Sequence, residues 1–131
     1  MRISRDGLRL LLSRSVVELG FTRRNEKAGW PQFRRMLCTL DRNLLNSLAG
    51  RTVFNFYNPN HPPPYDTRAY NLLTTYDLLW QSWRNIPVES ANIINAIPTH
   101  TKQDQDKFWA LFEAQFRKMS PNDKIRFMQT V

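Results

Sequence analysis

Leu8, Leu11 and Leu12 recur at helical spacing, with Arg5 and Arg9 on another face. This pattern predicts an amphipathic helix over residues 4–13, with Ser4 placed to cap its start. Gly7 is a weak helix former inside it. From Ser15 the period changes from helical to alternating. Val17, Leu19 and Phe21 alternate with other residues through Arg24, predicting a strand with one buried face. A polar stretch, Asn25 to Pro31, holds Gly29 and Pro31 and reads as a turn. Phe33 to Leu40 then returns as a second strand, with Met36, Cys38 and Leu40 on one face. The two strands form a predicted hairpin.

Asp41 is a good N-cap and Gly50 a good stop for a short helix from Arg42 to Leu48. Arg51 to Tyr57 could be a strand. The loop from Asn58 to Asp66 contains Pro59, Pro62, Pro63 and Pro64, and consecutive prolines exclude a central strand. Further strands are predicted at Leu72–Trp80, Ser82–Val88 and Ala91–Ile97. The last has Ile93 and Ile97 on one face and Ile94 on the other. The remaining segment is helical in pattern. Thr101 and Asp104 have cap spacing, and Phe108, Leu111, Phe112, Phe116 and Met119 form an apolar stripe beside Trp109. Ser120-Pro121-Asn122-Asp123 repeats a helix-start signal before Ile125, Phe127 and Met128.

At 131 residues, with 41% apolar and 12% aromatic content, the expectation is one packed domain. It divides into an N-terminal helix (1–14), a β unit with a Pro-rich insertion (15–98, insertion 52–70) and C-terminal helices (99–131). The basic-then-apolar start faintly resembles a secretion signal. Its apolar run is short and Arg14 follows soon after, so it reads as the amphipathic helix instead. No apolar run reaches the roughly 18 residues of a membrane span. The single cysteine, Cys38, can form no intrachain disulfide and fits a reducing, cytoplasmic setting.

Charge sharpens the picture. The net charge is +8, and residues 1–51 hold 11 Lys+Arg against 4 Asp+Glu, or +7; the other 80 residues contribute +1. A field of this sign favours polyanions or acidic protein surfaces as partners. Arg23, Arg24, Lys27, Arg34 and Arg35 cluster if the hairpin forms, since paired strands lie about 5 Å apart. Trp30 lies among them. A basic groove with an aromatic platform suits single-stranded nucleic acid, and these six residues are the candidate nucleic-acid site. The plainer alternative is a solvated turn with Trp30 packed on the fold. Tyr76, Trp80 and Trp83 are expected in the core, and Asp77 is expected to pair with Arg84 across neighbouring strands.

A second candidate surface comprises Tyr65 in the Pro-rich loop and Trp109, Phe112 and Phe116 on the aromatic stripe. An aromatic helix stripe is either core or a protein interface, including one between copies of the chain. Catalytic chemistry has little to rest on. His61 and His100 are the only histidines, and no Cys/His set has metal-ligand spacing. Cys38 sits on an apolar strand, where it reads as a small core residue. Asp104 and Asp106 lie at a helix start, where negative charge is favourable anyway. There is no glycine-rich phosphate loop or nucleophile elbow. The expectation is a non-enzyme with no cofactor and no metal.

The order of motifs resembles a known group. A basic helix precedes Val16-Val17-Glu18-Leu19-Gly20-Phe21-Thr22-Arg23-Arg24, a turn, and Arg35-Met36-Leu37-Cys38-Thr39-Leu40. Tyr76-Asp77, Trp83-Arg84-Asn85-Ile86-Pro87-Val88 and Ile93-Ile94-Asn95-Ala96-Ile97 follow. Over residues 8–98 this is similar to the small SH3-like β-barrel proteins of tailed bacteriophages, which distantly resemble WYL-type barrels. The resemblance implies a mainly β fold with flanking helices: an SH3-like barrel with an N-terminal helix and a C-terminal helical extension. It implies a phage-type protein working in the host cytoplasm. The Pro-rich insertion and C-terminal helices depart from that pattern. Two functions follow as expectations: binding nucleic acid through the basic hairpin, or acting as an interaction module on a host protein or as a structural component of the phage.

Overall fold

The computed structural model describes residues 3–24, 32–47 and 67–129. The predicted turn 25–31, with Lys27 and Trp30, lies outside these residues. So do the predicted strand 51–57 and the Pro-rich loop with Tyr65.

The first helix, α1 (Arg5–Leu12), begins where the cap residue predicts: the Ser4 hydroxyl accepts from the Gly7 amide at 3.0 Å. Leu8 and Leu12 are buried, while Leu10 is exposed. Strands β1 (Ser15–Thr22) and β2 (Phe33–Thr39) pair antiparallel with Val17 opposite Cys38 and Phe21 opposite Arg34. A short helix, α2 (Arg42–Leu45), starts at Asp41, whose carboxylate accepts from the Leu44 amide. After a 3-10 turn (Arg68–Tyr70) come β3 (Leu72–Asp77) and β4 (Ser82–Pro87), paired with Tyr76 opposite Trp83. A second 3-10 turn (Val88–Ser90) leads to β5 (Asn92–Pro98), which pairs with β1. Helices α3 (Lys102–Gln115) and α4 (Pro121–Gln129) follow, capped by Thr101 and Ser120.

The strands form one antiparallel sheet of order β4-β3-β2-β1-β5. Its outer strands are therefore consecutive in the chain. A flat sheet of this order would hold them four spacings of about 4.8 Å apart. The link 88–91 is mostly a 3-10 turn, rising only about 2 Å per residue, so the sheet must curl. Ser90 ties the curl down: its hydroxyl accepts from the Thr22 amide at 3.1 Å and donates to the Thr22 carbonyl at 3.2 Å. The sheet is not closed. Between β2 and β3 only Cys38–Asp77 and Thr39–Tyr76 are in register, so the β3–β4 hairpin swings away from β2.

Both faces of the central strands are buried, which corrects the single buried face expected of β1. Val17, Leu19 and Phe21 pack with Leu8, Leu12, Met36, Cys38, Leu73 and Ile86 inside the curl. Val16 and Leu37 face the other way, against Leu44, Leu45, Tyr76 and the aromatic residues of α3 and α4. Continuous rather than alternating apolar residues at Val16 and Val17 fit a strand covered on both sides.

Two further corrections follow from the register. The predicted strand 72–80 ends at Asp77, because Asp77 Oδ1 accepts the Leu79 and Trp80 amides and turns the chain. Gln81 then adopts a left-handed φ of 51°. In β5 the pairing shifts between Glu18 and Leu19: Glu18 faces Asn95 and Leu19 faces Ile93, leaving Ile94 as the extra residue of a bulge. A single extra residue reverses the alternation. Ile93 and Ile97 therefore sit on opposite cores, not on one face.

No helix among the described residues is long and apolar enough to cross a membrane.

Candidate functional site

The ends of β1 and β4 and the start of β3 enclose a concavity of about 380 Å³ at the mouth of the curl. Arg23, Arg24, Arg34 and Arg84 line it, with Phe21 and Leu72 among its apolar walls. Four arginines converge there because β1 and β2 bring Arg34 opposite Phe21, and the curl brings Arg84 of β4 across from them.

At the floor, Arg34 Nη2 donates to Asp77 Oδ2 at 2.8 Å, with side chains only 6% and 1% exposed. Burial pushes the Asp77 carboxyl up, and the Trp80 amide, Arg34, Arg84 and the Leu79 amide pull it back. Burial lowers the Arg34 guanidinium and the Asp77 charge opposes that, while Arg84 and Arg23 crowd it with like charge. Arg23 is lowered by burial and then by Arg84. Asp77 therefore pairs with Arg34 rather than with Arg84, contrary to the cross-strand expectation. Arg84 lies opposite Thr75 and is exposed.

The predicted basic hairpin is thus divided. Arg23, Arg24 and Arg34 share the mouth of the curl, although Arg34 is buried and paired. Arg24 is ion-paired with Glu89 at 2.5 Å and also donates to the Asn71 carbonyl. Arg35 alternates to the other face, pairs with Glu18 at 2.6 Å and lies 4.1 Å over the Phe127 ring, where it helps dock α4 on β2. Arg35 is therefore part of the helical packing and not of the basic mouth. Lys27 and Trp30 lie outside the described residues.

Basic groups continue beyond the mouth. Arg5 Nε donates to the carbonyl of Leu72, a mouth residue, and its Nη2 to Thr67. Arg68 lies 3.7 Å from Asp6, and with Arg9, Leu10 and Ser13 these two line a neighbouring hollow. A basic track thus runs from Arg84 across the start of β3 to α1. Arg84, Arg5 and Arg68 were not recognised as members of a site from sequence. Helical spacing put Arg5 and Arg9 on one face, but nothing local joins them to β4.

Of the candidate protein surface, Phe112 and Phe116 are 2% and 7% exposed and belong to the chain's own core. Phe116 meets Phe127 edge-on at 6.0 Å. These two are therefore covered by the chain itself and are not surface anchors. Trp109 is half-buried against the same cluster, and Tyr65 lies outside the described residues. Phe112 and Phe116 are core because α3 packs beside β5 and α4 on β2, with Phe127 of α4 against Phe116.

Cys38 is fully buried, its thiol pushed well up by burial, with Sγ 3.7 Å from the Val17 carbonyl. No group of three metal-ligating side chains occurs among the described residues. Compared with protein-family models, curated proteins and solved structures, the chain matches none of them.

Proposed function

We propose that this chain is a small, non-catalytic nucleic-acid-binding protein that holds the phosphate backbone along the arginine track at the mouth of its curled sheet. The observation that carries this reading is the convergence of Arg23, Arg24, Arg34 and Arg84 on one concavity, continued by Arg5, Arg9 and Arg68. An extended series of cations suits a polyanion, whose affinity comes mainly from phosphate contacts and counterion release. No described aromatic ring stands free in the mouth, since Phe21 is buried and Trp83 packs edge-on against Tyr76. The reading is therefore backbone recognition without a stacking platform among the described residues.

The fold proposed with it is an SH3-like barrel, as in the phage proteins the sequence resembles. Its support is the strand order, the short 3-10 link into β5 and the inward curl. The proposed setting is the host cytoplasm. The alternative, an interaction module on a host protein or in the phage particle, loses Phe112 and Phe116 as anchors because both are internal. An acidic protein surface remains the competing ligand for the same track.

The test is fluorescence anisotropy with labelled single-stranded DNA, comparing the natural chain with Arg23→Ala/Arg24→Ala/Arg84→Ala. Loss of binding in a folded triple variant supports the track; unchanged binding refutes it.

A further inference from the structure

We propose that the mouth of the curl selects single-stranded nucleic acid over duplex, because its deepest arginines are within reach of one strand and not of two paired ones. This rests on the nucleic-acid reading and names the form of nucleic acid that the track takes.

Depth is the first argument. The arginines of the track do not stand at one level. Arg9, Arg24, Arg68 and Arg84 are exposed. Arg23 is half-buried, and Arg34 is only 5% exposed at the floor of the concavity. The guanidiniums of Arg23, Arg34 and Arg84 are near enough to act on one another, and burial and like charge lower both Arg23 and Arg34. Arg34 keeps its bond to Asp77, and Arg23 is also engaged within the chain. Both are therefore partly compensated, and the floor adds to the exposed arginines rather than replacing them. What it adds is screened less by salt than a contact at the surface.

Shape is the second. The concavity holds about 380 Å³, toward the low end of the roughly 300–1,000 Å³ that takes a small ligand. That is room for one nucleotide unit of a strand. A flexible strand bends into it while the backbone on either side stays on the exposed arginines. A duplex is stiff over about 50 nm, and its major groove alone is about 12 Å wide. It lies across the rim, on Arg84 and the exposed arginines beyond, and leaves Arg23 and Arg34 uncontacted.

Charge density gives the contrast that makes the inference sharp. Duplex DNA carries one charge per roughly 1.7 Å and releases more counterions per contact than a single strand does. A surface that is merely basic therefore holds duplex at least as well as single strand. Preference for the single strand marks the recess, and it needs no stacking ring.

The experiment measures anisotropy of one labelled mixed-sequence DNA strand, alone and annealed to its complement, at one fixed salt concentration. The expected result is about tenfold tighter binding of the single strand, the scale of one added charge-assisted contact. Arg23→Ala should bring that ratio toward one by weakening the strand and sparing the duplex. Arg23→Gln, which keeps most of the stem, reads the same way should the alanine variant not fold. Arg9→Ala, exposed and outside the mouth, should weaken both forms alike. Trp30→Ala should leave the ratio intact. Equal binding of the two forms, or tighter binding of duplex, overturns strand selection while the nucleic-acid reading stands. A preference that survives the Arg23 variants, or that disappears in Trp30→Ala, overturns the recess as its source. Failure of both forms to bind overturns this inference and the nucleic-acid reading together.

Discussion

Replacing Asp77 with alanine should come close to unfolding this protein. The Asp77 carboxylate accepts from Arg34 Nη2 at 2.8 Å, the Leu79 amide at 3.0 Å and the Trp80 amide at 3.1 Å. Both members of the ion pair are out of solvent. Removing one partner of a buried pair costs about 3–5 kcal/mol, chiefly because the remaining charge stays buried. Losing the acceptor for the two turn amides adds about 1 kcal/mol each. Against a total stability of about 5–15 kcal/mol for a domain, that is a large share. Asp77→Asn keeps an acceptor oxygen for the turn and should cost less than Asp77→Ala. Arg34→Met combined with Asp77→Asn removes both charges and should recover most of the loss, since apolar replacement of a buried pair is often nearly neutral. Urea unfolding followed by tryptophan fluorescence measures all of these variants. A cost below about 1 kcal/mol for Asp77→Ala would refute the reasoning, as would strict additivity of the Arg34 and Asp77 changes.

Phe112→Ala should destabilise the fold by about 3–5 kcal/mol in the same assay, because the ring is buried between Phe108 and Phe116; a change under 1 kcal/mol would make it a surface residue instead. Gly20→Ala should cost about 1 kcal/mol, since a Cβ there would stand 2.5 Å from Phe33 Cζ and the half-exposed ring must swing aside. Adding Phe33→Ala should remove that extra cost. The Cys38 thiol should resist aromatic disulfide reagents until the chain unfolds. The folded thiol ionises well above the roughly 8.5 of an unfolded one, so the unfolded chain loses its proton first. Stability should therefore fall as pH rises above about 8.5, and Cys38→Ala should flatten that part of the profile.

Local signals carried much of the architecture. Ser4, Asp41, Thr101 and Ser120 each cap a helix by the bond their residue type suggests, and the strands lie close to where their apolar pattern puts them. What local pattern does not encode is phase and partnership. The bulge at Ile94 reverses which core Ile93 and Ile97 meet, and it arises from pairing with β1 rather than from the residues of β5. Asp77 reads equally well as a strand residue facing Arg84 or as a turn former. Its burial beside Arg34, a contact spanning 43 residues, decides the matter. The candidate site was legible at Arg23, Arg24 and Arg34, which a hairpin keeps together. Arg35 differs by one position and so by one face, enough to send it to Glu18 and Phe127. Arg84 joins them only because the sheet curls.

The most direct test of the account is the salt dependence of binding to single-stranded DNA. About four phosphate contacts along the track predict that log K falls linearly with log salt, with a slope near −3. Binding that is absent at low salt, or that does not change with salt, would contradict the assignment of the arginine track to nucleic acid.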